Sequence, residues 1–114
     1  GEAGFRDLEQ QVTARFAKEG GQVLSTGGGA VLRSENVAAL RQNGPVVFID
    51  RPLELLCTGG GRPLSTDRAA LAAMEQKRRP LYEAAADIRI PNNTDVFRRA
   101  AKAAEEALHA YFGT

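Results

Sequence analysis

Residues 22–30 read QVLSTGGGA: Gln22-Val23-Leu24-Ser25-Thr26 runs straight into the triplet Gly27-Gly28-Gly29, followed by Ala30. The first five residues predict a short strand, and the glycines a backbone device at its end. The next apolar run, Val46-Val47-Phe48-Ile49, has no alternation, as expected of a strand covered on both faces of a parallel sheet. Between the two, Ser34 is a suitable N-cap for a helix through Val37, Leu40 and Arg41, closed by Gly44-Pro45. Strand, helix and strand in that order imply a right-handed crossover and a parallel sheet.

The pattern continues outward in both directions. Upstream, Phe5, Leu8, Val12 and Phe16 recur at helical spacing until Gly20-Gly21. Downstream, Asp50 and Pro52 open a short helix ending near Cys57, and residues 58–67 (TGGGRPLSTD) have the composition of a mobile loop. An alanine-rich helix is expected over 68–86, with Pro80 bending or interrupting it after Arg79. Ile88-Arg89-Ile90 reads as a minimal strand ended by Pro91. Thr94 is expected to cap a last helix whose stripe is Phe97, Ala100, Ala104, Leu108 and Tyr111. The expected fold class is α/β: one domain over 1–114, with a parallel sheet of about three strands flanked by helices.

Composition narrows the function. The 114 residues are 43% apolar and 25% charged, the profile of a folded domain rather than a disordered tail. A net charge of +1 gives no basic footprint for nucleic acid. No apolar run is long enough for a membrane helix, and the chain opens with no signal-peptide pattern. The lone Cys57 makes neither an internal disulfide nor a cysteine-rich metal site, so a cytoplasmic location is expected. The 15 basic residues are overwhelmingly arginine, which reflects either a GC-rich genome or the use of planar forks to grip carboxylate and phosphate.

Four places could carry chemistry, and each has two readings. The Gly27–Gly29 triplet is either a flexible turn or a bare-backbone floor at the carboxyl end of a strand, where open α/β sheets bind ligands. Arg6 and Glu9, three apart on one helix face, are either a solvated pair or a guanidinium held in place for an anion. Arg62, in Arg62-Pro63-Leu64 of the glycine-rich loop, is either a surface arginine or a cation that closes onto a transferred phosphoryl group. Arg78, in Arg78-Arg79-Pro80-Leu81-Tyr82, is either another surface arginine or the second half of a carboxylate clamp.

In order, Phe5-Arg6-Asp7-Leu8-Glu9, Gly27-Gly28-Gly29-Ala30, Arg62-Pro63-Leu64 and Arg78-Arg79-Pro80-Leu81-Tyr82 resemble the four motifs of the shikimate kinase family across nearly the whole chain. The resemblance implies a partial P-loop kinase fold in which residues 58–67 are a lid. It implies transfer of the ATP γ-phosphoryl group to the 3-hydroxyl of shikimate, a step of aromatic amino acid (chorismate) biosynthesis. Arg6 and Arg78 would bind the shikimate carboxylate, Glu9 would hold Arg6, and Phe5 would pack beside the ring. Gly27, Gly28 and Gly29 would meet the ring hydroxyls and phosphate region, with Arg62 as the catalytic cation. ATP and Mg2+ are the cofactors so implied, and shikimate the small-molecule partner.

The family's Gly-x-x-x-x-Gly-Lys-Ser/Thr loop and the acidic residues that follow it have no counterpart in these 114 residues. Cys57 stands where relatives often have an arginine before the lid. The expectation is therefore the carboxy-terminal part of such a kinase, binding ATP and Mg2+ poorly and inactive alone. Two rivals are a non-catalytic module binding carboxylates and polyols, and a kinase acting on another polyol acid. A strand preceding the phosphate loop would leave open edges where it is lacking. Direct pairing of 22–26 with 46–49, self-association through those edges, or marginal stability would follow.

Overall fold

Glu2–Ala17 forms helix α1, carrying the Phe5, Leu8, Val12 and Phe16 stripe expected of it. That stripe is only partly covered, since all four side chains are at least 41% exposed and only Ala17 of α1 is buried. The helix closes with the Glu19 amide donating to the Phe16 carbonyl, and Gly21, at φ +72°, turns the chain away. The computed structural model describes residues 1–58 and 65–114, with side chains described outside 57–67. It contains two compact units, 1–46 and 47–114.

In the first unit the strand expected at 22–26 does not form. A strand is a ladder, and among the described residues this segment has no ladder partner; Val23 is 95% exposed. Gly27, in extended conformation, leads into a single 3-10 helix, Gly28–Leu32, in which Gly29 and Ala30 are buried. Helix α2 follows at Ser34–Arg41. Its N-cap is Arg33 rather than Ser34, because the Arg33 carbonyl already accepts from the Asn36 amide. Ser34 Oγ instead meets Glu35 Oε1 at 3.2 Å.

The second unit is built on two parallel strands, β1 (Val47–Asp50) and β2 (Ile88–Pro91), in the register Val47–Ile88 to Asp50–Pro91. The sheet thus has two strands where three were expected, the difference being the unladdered 22–26 segment. Pro91 can end β2 because a terminal strand position needs no amide donor. Helix α3, Leu53–Thr58, starts on the Pro52 carbonyl, which accepts from Leu55 and Leu56.

Helix α4 runs from Ser65 to Ala85 with Pro80 inside it, so the expected interruption after Arg79 is absent. Anchors on both sides of the proline hold the helix: Arg79 is ion-paired to Asp50, Tyr82 packs on Phe48 with centroids 5.2 Å apart, and Ala85 is buried. The loop expected at 58–67 is shorter at both ends, since Thr58 closes α3 and Ser65 opens α4. The remainder of the expected lid, Arg62 included, lies outside the described residues.

Helix α5, Phe97–Phe112, ends on Gly113 in the left-handed conformation. Its N-cap is Val96, two residues after the expected cap Thr94, whose Oγ1 accepts the Val96 amide at 3.0 Å. Among the described residues the buried apolar ones are alanines and one isoleucine: Ala17 and Ala30 in the first unit, Ala85 and Ile90 in the second.

Candidate functional site

The first turns of α1 put Glu2, Arg6 and Glu9 on one face, since residues three and four apart are neighbours on a helix. Arg6 Nε donates to Glu2 Oε1 at 3.0 Å, and Arg6 Nη1 donates to Glu9 Oε1 at 2.7 Å. The Arg6 and Glu9 side chains are 14% and 15% exposed, so this is a sheltered pair, whereas Glu2 is largely in solvent. The hydrogen bond Arg6 donates to Glu9, then that to Glu2, raises the Arg6 pKa above its ordinary value. Arg6 is thus a fixed cation whose Nη2 group has no partner among the described residues.

The guanidinium lies directly against Gly29: a Cβ built at that position would overlap Nη1, Nη2 and Cζ of Arg6. Only glycine permits this approach without moving the arginine. At Gly27 a Cβ would meet Glu9 Oε2 at an ordinary 3.7 Å. The structure therefore brings together four residues singled out in the sequence: Arg6, Glu9, Gly27 and Gly29. Phe5 stands beside them, its ring centroid 5.1 Å from Arg6 Cζ. A groove of about 240 Å³ adjoins them, lined by Glu9, Val12, Phe16, Leu24, Gly27 and Leu40.

Two contacts that sequence reasoning missed hold the 3-10 turn in place. Arg33 Nη1 donates to Asp7 Oδ1 at 2.8 Å and Gln10 Oε1 at 2.9 Å, tying the end of the turn to α1. Asn36 Nδ2 donates to the Ala30 carbonyl at 3.0 Å. Glu2 was legible, being four residues before Arg6 on the same face; a bond from a side chain to a distant carbonyl leaves no sequence signal.

In the second unit, Arg78 and Arg79 have different surroundings. Arg79 grips Asp50 with both amino groups, Nη2 to Oδ1 at 2.6 Å and Nη1 to Oδ2 at 3.0 Å, and donates through Nε to Glu75 at 2.6 Å. Arg89 adds a second cation to Asp50, Nε to Oδ2 at 2.8 Å. The Arg79 hydrogen bond leads, with Arg89 assisting, in holding the buried Asp50 carboxyl down to about 2, against the cost of burial. Half-buried Arg78 makes no side-chain hydrogen bond or ion pair among the described residues. Its neighbour Arg79 is thus committed to the Asp50 and Glu75 carboxylates, and Arg78 is not. Among the described residues no three His, Cys, Asp or Glu side chains gather as a metal site, and no helix is long and apolar enough to cross a membrane.

Comparison with known proteins identifies relatives of this chain. A shikimate kinase from Symbiobacterium thermophilum is 46% identical over 99 residues, covering 79% of this chain and 57% of the relative. One from Mesorhizobium japonicum is 40% identical and covers 99% of this chain and 59% of the relative. The chain therefore spans rather more than half the length of the relatives it matches. The solved structure of a shikimate kinase from Acinetobacter baumannii in complex with shikimate superposes with a TM-score of 0.85 at 29% identity, over 99% of this chain and 65% of that one. Since the shikimate kinase family model matches residues 1–109, this chain belongs to the shikimate kinase family.

Proposed function

We propose that this chain is the acid-binding portion of a shikimate kinase, which transfers the γ-phosphoryl group of ATP to the 3-hydroxyl of shikimate. The observation that carries the reading is Arg6, fixed by Glu2 and Glu9 against the bare backbone of Gly29. A cation with a fixed rotamer and a free amino group is suited to a carboxylate. The backbone beside it, without side chains, is suited to a hydroxylated ring. Shikimate offers one carboxylate on such a ring, and the related Acinetobacter enzyme was solved with it bound.

In this reading Arg6 and Arg78 bind the carboxylate, Glu9 orients Arg6, Phe5 flanks the ring, and Gly27, Gly28 and Gly29 form the floor. Arg62 is the catalytic cation, neutralising charge as the phosphoryl group moves. The family uses ATP and Mg2+. Among the described residues no cluster of His, Cys, Asp or Glu suits Mg2+. The chain binds the acid and leaves nucleotide activation to parts of the enzyme outside these 114 residues. The reading includes a cytoplasmic location, and the exposed, unladdered 22–26 segment supports self-association through its unpaired backbone.

Calorimetric titration of the chain with shikimate, quinate and gluconate tests the proposal. Saturable binding of shikimate, lost in Arg6→Ala and in Arg78→Ala, is expected. Undiminished shikimate binding in both variants, or preference for gluconate, would overturn it.

A further inference from the structure

Asn36 is a buried polar residue with no role in the reading above. It is 1% exposed and is the largest fully buried side chain among the described residues. Its Nδ2 donates to the Ala30 carbonyl at 3.0 Å, whereas its Oδ1, also buried, has no hydrogen-bond partner among the described residues. The orientation of the amide is set by chemistry, since a carbonyl can only accept and so must face the amino group.

A buried acceptor left without a donor is costly, and an apolar residue of similar size would avoid that cost. Stability alone does not explain an asparagine here. What it supplies is the hydrogen bond to Ala30, the residue next to Gly29, in a turn too short to hold its position through its own single 3-10 coil. Arg33 ties the far end of the same turn to α1 through Asp7 and Gln10. The turn is thus held from α2 through Asn36 and from α1 through Arg33, and Gly29 lies between these fixings and the Arg6 guanidinium.

We infer that Asn36 is a positioning residue for the acid site: by holding the Ala30 carbonyl it sets the Gly29 backbone against Arg6, and so fixes where a carboxylate meets that arginine. The inference rests on the proposed acid-binding role of Arg6 for its effect on affinity, but not for its effect on Arg6 itself.

Two substitutions separate positioning from plain stability. Asn36→Ala removes the donor and the side-chain volume, and Asn36→Leu removes the donor at similar size. Asn43→Ala is the control, because Asn43 Nδ2 makes the same type of bond to the Ala17 carbonyl, at 2.6 Å, away from the glycine turn. Asn36→Ala and Asn43→Ala lower the melting temperature. Both Asn36 variants are expected to weaken shikimate binding by roughly tenfold and to shift and broaden the Arg6 Nε–Hε NMR signal, because small misplacements of a binding group are costly. Asn43→Ala should leave that signal in place and the affinity within about twofold, as for independent sites. An unmoved Arg6 signal in the Asn36 variants would overturn the inference. If the unsubstituted chain binds no shikimate, the acid-binding proposal fails, and the Arg6 signal still decides the role of Asn36. Should the Asn36 variants not fold, chains that keep Asn36 answer instead. The Asn36 Nδ2 protons should resist exchange in the parent chain and shift in Gly29→Ala, which displaces the turn; free exchange with no response would overturn the inference.

Discussion

The guanidinium of Arg6 occupies the space that a side chain at Gly29 would need. This contact distinguishes the two glycines on either side of Gly28. Gly29→Ala forces the arginine to move, whereas Gly27→Ala adds a methyl at ordinary distance from Glu9, on a backbone of φ −70° and ψ 157° that alanine adopts freely. Titration should show shikimate affinity falling by roughly tenfold or more in Gly29→Ala and by less than about twofold in Gly27→Ala. Equal losses would remove the special standing of Gly29.

The two adjacent arginines of α4 should separate in a pair of simple assays. Arg79→Ala leaves the buried Asp50 with only the more exposed Arg89 as a partner, and stability should fall by about 2–3 kcal/mol in a urea titration. Arg78→Ala breaks no described ion pair, so its melting temperature should stay near that of the parent while shikimate binding weakens. The opposite assignment of effects would exchange the roles given to the two residues.

Asp50 predicts an acid limb in the stability curve. Its carboxyl titrates at about 2 in the folded chain against an ordinary 3.8, so the folded form binds its proton less readily than the unfolded one. The stabilisation is fully present above about pH 4 and is lost as pH falls through the folded value, amounting to ~2 kcal/mol. Thermal melts from pH 7 to pH 2 should show this decline, and Asp50→Asn should flatten it while lowering stability at pH 7. A variant with an unchanged acid limb would show that another carboxylate governs it.

The exposed segment around Val23 predicts association in solution. Sedimentation of the chain should give a weight-average mass that rises with concentration, and Val23→Lys, which places a charge on an open edge, should return it toward monomer. A stable monomer at all concentrations would leave the 22–26 edge without a role in assembly.

Much of this arrangement was legible in the residues, for identifiable reasons. Periodicity located α1, α2 and α5 to within a few residues, because each carries an amphipathic pattern that depends only on local spacing. The Arg6–Glu9 pair could be read for the same reason. The strand at 22–26 could not, because a strand needs a partner and partnership is not written in five residues. Pro80 misled because its local penalty is outweighed by contacts of Arg79 and Tyr82 with β1, which are distant in sequence. Asn36 and the Asp50 cluster were invisible on the same ground: each joins groups whose proximity only folding creates.

The two acidic residues flanking Arg6 have a consequence for how quickly and cheaply a ligand is received. A lone surface arginine samples many rotamers and must surrender that freedom when it grips an anion, at roughly 1–2 kcal/mol for a long side chain. Here Glu2 and Glu9 hold the guanidinium during folding, so under the proposed acid-binding role little of that freedom would be left to lose on binding. The same two carboxylates offset the charge of Arg6, so its attraction for any anion acts at short range, through the Nη2 group they leave uncovered.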